Sequence, residues 1–359
     1  MLVDYFNAFK KMKLIKKIIA PLINKAKQST FVRNMFEAPF NMKAFPAFAT
    51  FTDSKGNSHS LLQGLRSKIK PGWQNMFIAK TPSVKGVDVK QIVKNGTYAA
   101  QKITPLIHNL GKDISQCTIL EIGCNTGATS FALANKGAKK VVGSEFAGYK
   151  VASIDQNNVT DSKLETVSKE LQEIREQLSQ TCKNKSAVTF VEDDICNSKL
   201  PRNHFDIICS WDVLEHLHDT QKAFQSMAEL LSPDGLLIHE YNPFFSLNGG
   251  HSLCTLDFLW GHTRLSQNDF VRYLDEVRPT EKEIALSFYT EGLNRMTLAD
   301  CKAQLRQAGL EIISILPYAR EPHVRMATTD ILTQTQAIYP KVDFMDLVAT
   351  RVVVIARKR

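Results

Sequence analysis

The 359-residue chain holds no Cys-x-x-Cys pair and no apolar run long enough to span a bilayer. Its cysteines, at 117, 124, 182, 196, 209, 254 and 301, are odd in number and scattered, several of them inside apolar segments. That spacing argues against a zinc site or a disulfide framework and for buried thiols in a reducing, cytoplasmic compartment. Cys124 reads as small buried filler rather than as a nucleophile. The lysines that interrupt the stretch 14–23 spoil a secretory core there. Net charge is also small outside one end. Of the formal +9, residues 1–33 carry +7 and the remainder of the chain +2.

The stretch that organises the chain is Thr118-Ile-Leu-Glu-Ile-Gly-Cys-Asn-Thr-Gly127. Its apolar start reads as a buried strand, its glycines as a tight turn, and residues 128–136 as a helix whose first N–H groups face the turn. Such a turn suits a nucleotide cofactor, although glycine at a strand-to-helix crossover also serves plain packing. Four further strands follow: 140–145 ending in Glu145, 187–191 running into Glu192-Asp-Asp194-Ile195, 205–210 running into Trp211-Asp-Val-Leu-Glu-His216, and 235–241 after a Ser-Pro-Asp-Gly turn. The acidic and polar residues of interest therefore fall at strand carboxyl ends, where open α/β sheets bind ligands.

In this order and spacing, Glu-Ile-Gly-Cys-Asn-Thr-Gly, the strand-terminal Glu145, Asp-Asp-Ile and Phe-Asp-Ile-Ile-Cys-Ser-Trp-Asp-Val-Leu-Glu-His resemble a class I S-adenosylmethionine-dependent methyltransferase. The resemblance implies an α/β fold, a doubly wound seven-stranded mostly parallel sheet, over residues 98–241 and 297–359. It implies S-adenosyl-L-methionine as cofactor, with Gly123, Asn125 and Gly127 shaping the methionine side and Glu121 counted in the same set. Glu145 would take both ribose hydroxyls, Asp194 the adenine amine with Asp193 as its rival in register, and Ile195 an adenine face. Ser210 and Trp211 would lie near the methyl group. The physical reasons agree, because a carboxylate accepts two hydroxyls or one exocyclic amine and bare glycine backbone admits a bulky ligand. Asn125 stands where a middle glycine is frequent, and asparagine tolerates left-handed backbone.

The flanks are less regular. In residues 1–33, Phe6, Phe9, Met12, Ile15, Ile18, Ile19, Leu22 and Ile23 recur at helical spacing, so a helix there has one apolar stripe and a lysine-rich face. That helix suits the inner face of an anionic membrane or an RNA; it equally suits packing on the catalytic domain or on a second copy in a homodimer. Residues 34–97 form an aromatic-rich extension with turn signals at 53–56 and 70–72, expected to cover the cofactor domain. Tyr98 precedes a helix expected over 99–109. Residues 161–183 read as a crossover helix with one apolar stripe and no visible chemistry. Residues 242–296, rich in glycine, aromatics and histidine, read as an irregular substrate-binding insertion or lid.

A hydroxyl acceptor needs a base, and the histidines His216, His239, His251 and His262 are the candidates, with His251 favoured and His216 second. Asp212-x-x-Glu215-His216 also puts two carboxylates and an imidazole on one face of a helical turn, a divalent-ion spacing if His251 joins, but the expectation is of no bound metal. The reading adopted is O-methylation of a small-molecule, glycan or lipid-linked acceptor. The alternative is an RNA-modifying enzyme, for tRNA or small RNA, recruited by the basic N-terminus and metal-assisted.

Overall fold

The computed structural model describes residues 41–78, 88–146 and 161–359. The basic helix expected over 1–33 and the first residues of the aromatic-rich extension, 34–40, lie outside the described residues.

Strands β1 (Ala47–Thr52) and β2 (Ser58–Leu62) form an antiparallel hairpin. The turn signal at 53–56 closes it, with Asp53 accepting the N–H groups of Lys55 and Asn57 at 2.9 and 2.8 Å. Helix α1 (Val89–Asn109) starts at its N-cap Asp88, ten residues earlier than expected, so Tyr98 lies inside the helix and is 62% exposed. The expectation missed Asp88 because Gly96 breaks the local propensity, while the amphipathic packing of Ala100, Ile103 and Ile107 holds the helix together.

The main sheet follows with β3 (Thr118–Ile122), α2 (Ala128–Asn135), β4 (Lys140–Glu145), α3 (Asp161–Ser179), β5 (Val188–Glu192), β6 (Phe205–Trp211), α4 (Thr220–Leu230) and β7 (Leu231–Tyr241). After a helical stretch containing α5 (Gln267–Val277), α6 (Lys282–Glu291) and α7 (Leu298–Gln307), the sheet closes with β8 (Leu310–Ala319) and β9 (Ala349–Lys358), separated by α8 (Thr329–Gln336). The strand order is β5-β4-β3-β6-β7-β9-β8, with β9 antiparallel to both neighbours and the other pairings parallel. This is the doubly wound, mostly parallel seven-stranded sheet that the resemblance implied. Its order reverses between β3 and β6, which opens a crevice at their carboxyl ends.

Each face has its own core, because strands buried on both sides must be covered twice. Ile119, Val141, Ile207 and Leu236 pack under α1, α2 and α3, while Leu120, Ile208, Leu237 and Val354 pack under α4 and α7. All seven cysteines are buried and unbridged.

A third core lies away from the sheet and corrects the reading of 242–296 as irregular. That stretch is largely helical. Ser266 caps α5 by accepting the Asp269 N–H, and Phe270 of α5 stacks on Tyr289 of α6 with ring centroids 4.1 Å apart. Phe51 and Leu61 of the hairpin share this core with Phe244, Trp260 and Leu347. A buried ionic network ties the layers, with Arg66 forking onto Glu281 at 3.1 and 2.9 Å and Arg278 paired with Asp257. Among the described residues, no helix is long and apolar enough to cross a membrane.

Candidate active site

The turn after β3 is built on left-handed backbone. Gly123, Asn125 and Gly127 have φ of +63°, +48° and +76°. A Cβ on Gly123 would fall 2.6 Å from Cγ2 of Val213, and one on Gly127 would strike the ring of Phe190. Glycine is therefore required twice, once for the turn and once for the close approach of the segment leaving β6. Asn125 supplies the third left-handed position.

Glu145, half-buried at the end of β4, reaches back over this turn, and its carboxylate accepts the Asn125 N–H at 2.5 Å. Its backbone carbonyl accepts the Asp193 N–H at 3.0 Å, which draws the exit of β5 against that of β4. Asp193 accepts the Lys199 N–H through Oδ1, and its buried Oδ2 has no partner among the described residues. Asp194 caps the following short turn by accepting the Cys196 N–H at 2.9 Å, and Ile195 is buried in the core below. Glu121 lies beneath the turn, 4% exposed, with the Ser130 hydroxyl donating to it. Burial pushes its carboxyl up to about 7.

Arg175 of α3 is the residue the sequence reading missed. Its guanidinium donates to the Asn125 carbonyl at 2.6 and 3.1 Å and lies 4.3 Å from the Phe190 ring centroid, so the helix thought to lack chemistry clamps the turn from outside. Its only signal in the sequence was one arginine on a charge-rich face.

At the end of β6 the assignments separate. The Ser210 hydroxyl is buried and bonded to Nδ1 of His239 at 2.7 Å. His239 is itself fully buried, desolvation lowers it to about 3, and its Nδ1 is spent on Ser210. His262 donates from Nε2 to the Phe244 carbonyl at 2.8 Å and is lowered to about 4, a structural role. Trp211 instead faces a cavity of about 1370 Å³. Ile103, Leu106, Ile238 and Val353 give this cavity an apolar floor, Tyr318 and His323 contribute further rings, and Lys68, Lys70, Lys102, Arg320 and Arg351 stand against Glu240.

The two favoured histidines meet. His251 follows the sharp turn after β7 with φ of +53°, and its ring centroid is 5.2 Å from that of His216. Glu215 joins them, and one ligand atom from each of the three residues lies within 4.8 Å of the others. Asp212 stays out of this group. It accepts from the Asn242 side chain at 2.9 Å and pairs with Arg351 at 3.2 Å. Burial lowers both imidazoles from their ordinary 6.5, His251 strongly, and His216 and Lys70 reinforce the shift at His251. Both are therefore neutral near pH 7 and able to accept a proton or a metal.

A family described as a methyltransferase domain matches residues 96–315. No curated relative matches the chain. Similar solved structures include an S-adenosylmethionine-dependent methyltransferase from Mesorhizobium loti, 16% identical over 70% of this chain and 96% of that one, with a TM-score of 0.40. Another is geranyl diphosphate C-methyltransferase from Streptomyces coelicolor, 11% identical over 73% of this chain and 77% of that one, with a TM-score of 0.41. The [4+2]-cyclase SpnF is 15% identical over 72% of this chain and 80% of that one, also at 0.41.

Proposed function

Because this chain belongs to the methyltransferase-domain family, as a class I S-adenosylmethionine-dependent enzyme, we propose that it methylates an oxygen of a small-molecule, glycan or lipid-linked acceptor by in-line displacement. The cofactor, when bound, supplies an electrophilic methyl group on a sulfonium. The residues fit it: the left-handed turn at 123–127 leaves bare backbone, Glu145 hangs above it, and Asp193 keeps a buried carboxylate oxygen without a partner among the described residues. Gly123, Asn125 and Gly127 hold the methionine side, Glu121 supports them, and Glu145 receives the ribose hydroxyls. Asp194, or Asp193 one register away, receives the adenine amine over Ile195.

One observation carries the acceptor reading. The cavity beyond Trp211 brings aromatic and histidine side chains over an apolar floor, as a bounded pocket for a small acceptor requires. Ser210 acts indirectly, keeping His239 oriented behind Trp211. The neutral imidazoles His251 and His216 are assigned to the acceptor hydroxyl, with His251 taking its proton. The RNA alternative draws on the five cations around the same cavity and on the lysine-rich residues 1–33, which in either reading meet an anionic membrane, an RNA or a second copy of the chain inside the cytoplasm.

The decisive experiment is methyl transfer from labelled S-adenosylmethionine to lipid-linked sugars, small phenols and total RNA in parallel. Label in the first two classes supports the proposal. Label in RNA alone replaces it with the alternative.

A further inference from the structure

The cluster formed by the turn after β6 and His251 contains more ligand chemistry than a lone base needs. Glu215 is 1% exposed; its Oε1 accepts the Asn242 N–H at 3.1 Å, and its Oε2 has no partner among the described residues. A buried carboxylate oxygen left without a donor is costly and calls for a cation or a proton. The Nε2 of His251 is likewise buried without a partner among the described residues, on a residue held in left-handed backbone that only a constrained turn maintains. His216 donates from Nδ1 to the Gly292 carbonyl at 2.6 Å, which fixes its ring and tautomer in the way an outer-shell carbonyl fixes a metal-ligating imidazole. The turn carrying Glu215 and His216 is itself pinned, since Asn294 donates to the carbonyls of Leu214, Glu215 and Leu217. The other such group, Asp194, Cys196 and His218, is weaker, because Asp194 is spent on its cap and His218 is exposed.

We propose that Glu215, His216 and His251 bind one divalent cation of the carboxylate–imidazole class, such as zinc, iron(II), cobalt or manganese, and that its open positions take the acceptor hydroxyl. Ligand atoms within 4.8 Å of one another can close on an ion at metal–ligand distances of about 2.0–2.2 Å with small side-chain movement. Three protein ligands leave coordination positions open, the arrangement of a reactive rather than a structural site. Asp212 is not among the ligands, which distinguishes this set from the one the Asp-x-x-Glu-His spacing implied. With the ion present, the two imidazoles act by holding it. A hydroxyl bound there would lose its proton to solvent at a lowered pKa, and its oxygen would keep the electron pair. This inference rests on the acceptor being a hydroxyl compound, as proposed above.

The test uses the full chain without an affinity tag, stripped with EDTA and titrated with Co²⁺, read by visible d–d absorbance and by calorimetry. The expected result is uptake of one equivalent, weakened at least about tenfold in His251→Gln and in Glu215→Gln, with S-adenosylmethionine affinity unchanged in His251→Gln. Should Glu215→Gln fail to fold, His251→Gln carries the comparison. No uptake by the parent chain, or uptake equal in parent and His251→Gln, overturns the metal site and leaves His251 as a simple base. Uptake as expected with no hydroxyl acceptor methylated would instead overturn the acceptor reading and leave the ion site standing.

Discussion

The Glu145 carboxylate accepts the Asn125 backbone N–H at 2.5 Å, so the end of β4 and the turn after β3 are tied into one edge. In the proposed role this carboxylate exchanges that bond for ribose hydroxyls. Replacing it with alanine removes charge-assisted hydrogen bonds worth about 1.5–3 kcal/mol. Glu145→Ala is expected to weaken S-adenosylmethionine binding about ten- to hundredfold by calorimetry, and an unchanged affinity refutes the assignment.

Arg175 should matter for the same ligand without touching it. Its two bonds to the Asn125 carbonyl steady the turn, and it rests on Phe190. Arg175→Ala is expected to lower cofactor affinity by less than Glu145→Ala, about several-fold given its partly exposed position. Arg175→Lys recovers little, since one ammonium cannot reproduce the fork. Equal affinity in all three proteins would show that the turn holds its shape unaided.

Gly127→Ala meets two obstacles, a φ of +76° and the ring of Phe190. The expected loss of stability is about 1–3 kcal/mol, seen as a melting temperature lower by a few degrees in the absence of any ligand. A variant that melts with the parent would mean that Phe190 gives way freely.

Glu121 makes stability depend on pH. Burial raises its folded-state pKa to about 7 from an ordinary 4.5. Below the ordinary value the group is protonated in both states and costs nothing. As pH rises from about 4.5 to 7 the unfolded chain ionises first, so the native state loses stability, by about 3 kcal/mol in all. Denaturation of the parent and of Glu121→Gln between pH 5 and 8 should show a steeper downward slope in the parent than in the variant, since Glu215 and Asp346, also raised by burial, contribute alike to both. Parallel curves would contradict a buried, proton-binding Glu121.

Much of the sheet was legible because its signals are local. Apolar runs such as Ile119–Ile122 and the glycines at 123 and 127 state their own conformations. Residues 242–296 were not legible in the same way. Their glycines and aromatics suggested irregular chain, yet Phe270 and Tyr289 stack across two helices and bury Phe51 and Leu61 from a hairpin about two hundred residues earlier. Propensity yields to tertiary burial in such segments, because the stabilising contact is absent from any local window.

The same division holds at the site. The amino-acid order alone determined the strand succession, the glycine turn after β3 and the acid at the end of β4, since these follow from periodicity and backbone freedom; the seven-stranded fold was implied by the family resemblance. Only the tertiary structure decided that Arg175 clamps the turn, that Ser210 is committed to His239, and that His251 rather than Asp212 completes a cluster with Glu215 and His216. Those relations join residues far apart in the chain or turn on one side-chain direction, and close packing settles which of several chemically reasonable partners comes within reach.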